Sequence, residues 1–191
     1  MRRILFSCII ILLSLTIIPK ILFPTQHTNW NVFYERQVRE FFYQGRIQRY
    51  DNLSYLGRYM SYTPGYFVAK ASFLNIFPLG YNSFSDLIFE LLLNISLVIS
   101  IIFLCKNLGL RDLETALFIL VFTSCLYVFV LLSAHLMQTL AIALTFFSLG
   151  FIFCNQENRK KKLINDFASI LLLSAAALVH PFSLIMFSLL S

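Results

Sequence analysis

Long runs of apolar residues govern what this chain can fold into. Residues 87–104, 115–132, 136–154 and 167–190 each approach the length of roughly 20 residues at which a helix crosses a bilayer, and residues 4–18 form a further run behind Arg2 and Arg3. With 59% hydrophobic residues, 21 phenylalanines and a mean hydropathy of +0.77, the composition excludes an ordinary soluble domain. The 191 residues leave room for about five or six spans and little else. The expected fold is therefore all-α: a polytopic membrane protein of about five transmembrane helices, plus two membrane-surface helices in a large first external loop.

The chain reads as one membrane domain over residues 1–191, with a first span in 1–23, an external loop over 24–86 and four further spans in 87–191. The N-terminal run ends at Pro19 and Lys20 without a small-residue cleavage pattern, so an uncleaved first span with a cytoplasmic N-terminus is expected. Cys8, Cys105, Cys125 and Cys154 fall in or beside apolar runs with no close spacing, which suggests neither a metal site nor a disulfide framework.

Residues 30–64 are the one long polar stretch and hold five arginines. Within it, Phe33, Tyr34, Val38, Phe41 and Phe42 recur at helical spacing over residues 31–44, while Glu35, Arg36, Arg39 and Glu40 take the other face. This pattern predicts an amphipathic surface helix, with Glu35 and Arg39 able to pair at i,i+4 and Gly45 ending it. Residues 65–79 are apolar but reach only about 23 Å and carry Lys70, which is costly in lipid, so a surface or re-entrant helix is expected there. Ser83 with Asp86 suggests the cap of the following span.

Charge then orients the chain. The basic run of residues 159–162 belongs in the cytoplasm, and counting back through the spans puts Lys106, Arg111, Arg2 and Arg3 on that side too. Residues 24–86 and His135 fall outside, provided that residues 65–79 do not cross. In the competing topology they do cross, and the arginine-rich loop is cytoplasmic.

The external loop carries the residues with chemical promise. Asn31 to Phe42 as a helix, then Gly45, Tyr50, Asp51, Leu53, Ser54, Tyr55, Gly57 and Arg58, then Tyr62, Pro64 and Gly65, resemble the first external loop of GT-C membrane glycosyltransferases, nearest the prokaryotic oligosaccharyltransferase-like and mannosyltransferase-like members. The Ser133-Ala134-His135 turn and the Val179-His180-Pro181-Phe182 stretch are similar to later features of that fold. The resemblance extends over nearly the whole chain. It implies a polyprenyl-phosphate-linked sugar as ligand at the outer face, membrane lipid as surroundings and no nucleic acid. Enzymes of this type are usually longer, so the resemblance covers the N-terminal portion of such a fold, and a truncated or inactive product is an expectation. No cofactor is implied.

By the resemblance, a carboxylate belongs where Asn31 stands, and a second acid where His135 stands. An amide has no titratable proton and is no general base at neutral pH. Asp51 and Glu90 are the substitute carboxylates, so the catalytic candidates are Asn31, Asp51, Glu90 and His135. Arg36, Arg58 and His180 are the candidates for holding a lipid phosphate, for which a guanidinium is geometrically suited. Each has a plainer reading: Glu90 as an interfacial residue paired with Lys70 or an arginine, Asp86 as a helix cap, His180 as relief for a kink at Pro181, and the arginines as anchors for anionic headgroups. The alternative function is a non-catalytic membrane subunit or binding protein, with the external loop as the docking surface for a partner subunit.

Overall fold

The computed structural model describes residues 6, 7, 10, 29–46, 50–51, 58–59, 64–77, 80, 82–124, 136–154, 159–180, 184, 185 and 188. Among them the chain is helical apart from one two-residue ladder. In order, the elements are α1 (Asn29–Gln44), β1 (Tyr50–Asp51), β2 (Arg58–Tyr59), α2 (Gly65–Ile76), α3 (Ser83–Asn107), α4 (Asp112–Ser124), α5 (Leu136–Phe153) and α6 (Arg159–Val179).

Two helices are long and apolar enough to cross a membrane, Phe84–Asn107 and Lys160–Val179, and Met137–Phe153 is a shorter apolar one. The remaining expected spans fall largely on residues outside those described. The run at 4–18 is one, and the run at 115–132 is followed in α4 only to Ser124.

The core of the bundle is α5, which lies between α3 and α6. Its buried residues, among them Thr139, Ala143, Phe146, Ser148 and Leu149, face both neighbours. Small side chains let the backbones approach: a Cβ on Gly150 would collide with the ring of Phe103 on α3. On the α6 side the Ser148 hydroxyl donates to the Ser169 carbonyl at 2.9 Å, a hydrogen bond that counts where no water competes. Thr145 and Ser100 satisfy their hydroxyls within their own helices, on the carbonyls of Ala141 and Leu97.

These contacts fix direction. Phe89 and Leu93 share one apolar cluster with Met137 and Ala141, while Leu97, Ile101 and Leu104 share another with Phe146 and Leu149, so α3 and α5 run parallel. Val179 joins the first cluster although Ser169 meets Ser148, so α6 runs antiparallel to both. The start of α3, the start of α5 and the finish of α6 therefore form one end of the bundle, and α1 and α2 pack onto that end through Val38, Tyr66, Phe67, Ala71 and Leu74.

Several local readings change. The N-cap of α3 is Asn82, whose side-chain oxygen accepts from the Ser85 amide at 2.9 Å, while the Ser85 hydroxyl receives the Asn82 amide in return. Asp86 is thereby released from the capping role the sequence suggests. Beyond Lys106, α3 closes with Gly109 at φ +77°: the Leu110 amide reaches the Cys105 carbonyl and the Gly109 amide the Lys106 carbonyl. Helix α6 begins at Arg159, not near Phe167, because the basic run supplies its first turn. Glycine is required at Gly65, where a Cβ would stand 2.6 Å from the backbone carbonyl of Leu178 and 2.7 Å from the Val179 nitrogen. That contact seats the start of α2 on the finish of α6.

Candidate functional site at the loop-bearing end

The focus of this end is Lys70, in the middle of α2 and fully buried. Its ammonium lies 2.5 Å from the Glu35 carboxylate on α1 and 3.0 Å from the Asp86 carboxylate on α3. The Phe89 ring is 6.0 Å away. Tyr66 and Phe73 flank that same ring at 6.2 and 5.2 Å, which walls the lysine stem with aromatic surface.

A lysine is tolerated here because it is enclosed by protein and matched by carboxylates, the condition under which buried charges persist. Glu35 and Asp86 keep 26% and 29% of their side-chain surface exposed, while the Asp86 Oδ1 that faces Lys70 is itself buried. One cation against two anions ties three helices together.

The position of Glu35 corrects the helical-face reading of α1. The sequence places it on the polar face with Arg39, yet it turns inward to Lys70, and its neighbours Gln37 and Val38 are buried while Arg39 is exposed. Likewise, the partners of Lys70 are Glu35 and Asp86, where the plainer reading of Glu90 had offered that residue.

The candidate residues distribute as follows. Asn31 lies in the first part of α1, and Asp51 and Arg58 stand directly opposite each other in the ladder, as Tyr50 does Tyr59. Arg36 is half-buried on α1 beside Glu35. Glu90 is half-buried on α3, one turn beyond Asp86 and close enough to act on it electrostatically. His180 is half-buried just past the finish of α6, its amide donating to the Ala176 carbonyl at 2.8 Å. Thus Arg36, Glu90 and His180 belong to elements that meet at the same end, whereas His135 lies outside the described residues.

Sequence reasoning missed the ion-pair centre itself. Its signal was present: a lysine in a short apolar helix needs a carboxylate, and Glu35 and Asp86 are acids on the helices to either side. Two amides went unnoticed as well. Gln37 and Asn94 are 1% and 2% exposed, and neither side chain finds a hydrogen-bond partner among the described residues. No group of three or more His, Cys, Asp or Glu side chains among the described residues is arranged to hold a metal ion.

The opposite end has a different character. Stepping along α5 from Ser148 to Cys154 is stepping back along α6 from Ser169 to Leu163, and stepping from Gly150 to Phe153 runs beside Leu104 to Asn107 on α3. Lys106, Arg111, Lys160, Lys161 and Lys162, all exposed, therefore collect at the far end of the bundle from Lys70. Comparison with known protein families, curated proteins and solved structures finds no match to this chain.

Proposed function

We propose that the chain is a multi-pass membrane module of GT-C-like type that binds a polyprenyl-phosphate-linked sugar at the outer face, without turnover of its own. About five spans carry it, the basic end and the N-terminus face the cytoplasm, and α1, the ladder and α2 form the external platform. The observation that carries this reading is the segregation of the bundle into two ends. The platform sits on one with Arg36, Glu90 and His180, and the exposed lysines occupy the other. A lipid-linked substrate needs such an arrangement: a phosphate-holding cation at headgroup depth beside polar groups for the sugar.

Binding is favoured over chemistry by the carboxylates. An amide stands at Asn31, and Glu35 and Asp86 are engaged by Lys70, so two of the acids at this end serve its architecture. A photoreactive polyprenyl phosphate added to the reconstituted protein tests the proposal. Adducts are expected on peptides containing Arg36 and Arg58, competed away by unlabelled lipid-linked sugar. Adducts only on the surfaces of α4 and α6, or labelling that no lipid-linked sugar competes, would sink it. Turnover of the sugar donor that Glu90→Gln or Asp51→Asn abolishes would replace the binding reading with a catalytic one.

A further inference from the structure

We infer that the basic end of α6 is a docking surface for anionic phospholipid headgroups, an assignment that rests on the membrane reading above. Helix α6 opens with Arg159, Lys160, Lys161 and Lys162, and its first turn contains no acidic residue. Cations at a helix N-terminus oppose the helix dipole, whose positive end lies there, and the first amides of a helix have no acceptor within it. Both features call for anions from outside the helix. Lys160, Lys161 and Lys162 are exposed.

What lies next along the helix selects the kind of anion. Leu163, Ile164 and Phe167 are 71%, 65% and 62% exposed, immediately below the lysines on the way into the bilayer. A phospholipid matches that sequence of surfaces, with its phosphate at the lysines and its acyl chains along the apolar side chains beneath; a nucleic acid or an acidic peptide matches only the first. Lys106 stands on α3, on the far side of α5 and about one turn deeper than the lysine run, and adds to the field. Asp112, Asp166 and the Glu114 that pairs with Arg111 are the acids described at this end, so the attraction is centred on the lysine run of α6 and not on the end as a whole.

The experiment uses a Trp30→Phe, Leu163→Trp variant reconstituted into phosphatidylcholine vesicles containing phosphatidylglycerol. Either lipid carries brominated chains in turn, so quenching of the new tryptophan reports which lipid sits against α6. We expect phosphatidylglycerol to be preferred about threefold or more at low salt, and Lys160→Gln/Lys161→Gln/Lys162→Gln or 1 M salt to reduce the ratio to near one. A ratio near one in the starting variant, or a preference that survives the triple substitution, overturns the inference while leaving the membrane reading intact. Protein that alkaline carbonate strips from the vesicles overturns both.

Discussion

Replacing Lys70 by methionine isolates the interaction that joins α1 and α2 to the bundle. The substitution keeps a stem of similar length against Phe89 and removes only the ammonium that stands 2.5 Å from Glu35 and 3.0 Å from Asp86. Removing one partner of a buried pair costs about 3–5 kcal/mol, because the remaining charge is left uncompensated. Here two carboxylates remain, which repel each other, but each keeps about a quarter of its side-chain surface exposed and can recover water. The lower end of the range applies, about 3 kcal/mol. For a chain of this size that is a fall in Tm of roughly 6–12 °C.

Thermal unfolding in detergent, followed by circular dichroism, measures the loss. The decisive comparison is the triple variant Lys70→Met/Glu35→Gln/Asp86→Asn. If the centre is an ion-pair cluster whose charges must be matched, neutralising all three restores stability to within about 1 kcal/mol of the starting protein, since neutral replacements of buried ionic groups are often well tolerated. A Lys70→Met protein as stable as the original, or a triple variant less stable than Lys70→Met alone, refutes the argument.

Other outcomes follow from single contacts. Gly65→Ala places a methyl group against the Leu178 carbonyl, so α2 and α6 must separate; about 2 kcal/mol of stability should be lost, and an unchanged Tm would show that this approach is not close. Asn94→Leu removes a buried amide without a hydrogen-bond partner among the described residues and should stabilise the protein by about 1 kcal/mol, measured by the same melt, and a loss instead would reveal a partner for the amide. Glu114 lies before the apolar part of α4, and its carboxyl is held below its ordinary value by the side-chain and backbone hydrogen bonds from Arg111. A lowered folded pKa contributes stability above the ordinary carboxylate value, which is lost as pH falls through the folded one; Glu114→Gln should therefore lower the Tm slightly at pH 7 and not at all in strong acid. An equal effect at both pH values would contradict that.

Helix positions were legible because the period and length of the apolar runs are physical requirements of helices that bury one face against their neighbours. The extents of α1, α3 and α5, and the close of α1 at Gly45, lie within a few residues of where the pattern puts them. The start of α6 was not legible by hydropathy, which sees only Phe167 onward, because lysines are good helix formers and the helix continues through them into water. The cap of α3 was misread for a related reason. Ser83 and Asp86 have the composition of a capping pair, but Asn82 and Ser85 make a complete box one residue earlier, and Asp86 is claimed by Lys70. Arg36 was singled out for its guanidinium, and Glu90 and His180 as polar residues in or beside apolar runs; their elements meet at one end, whereas Glu35 was assigned to the wrong face. Helical spacing ranks faces by polarity, and a carboxylate that turns inward to a buried cation defeats that ranking.

That same carboxylate alters the topological argument. Lys70 counted against a membrane crossing by α2 because an ammonium exposed to lipid is costly, yet the ammonium is enclosed by protein and matched by two acids, so the penalty applies to neither topology. What remains against a crossing is length and position. Helix α2 has 12 residues, about 18 Å of rise, well short of the roughly 30 Å of hydrocarbon. Its start is fixed at Leu178 near the finish of α6, and Tyr66 and Phe73, two turns apart, close on the single ring of Phe89 near the start of α3. Over those two turns α2 stays in contact with the first part of α3. The ion pairs with Glu35 and Asp86 then account for why a polar residue was placed in an apolar helix at all: α2 is held against one end of the bundle by charge from both sides.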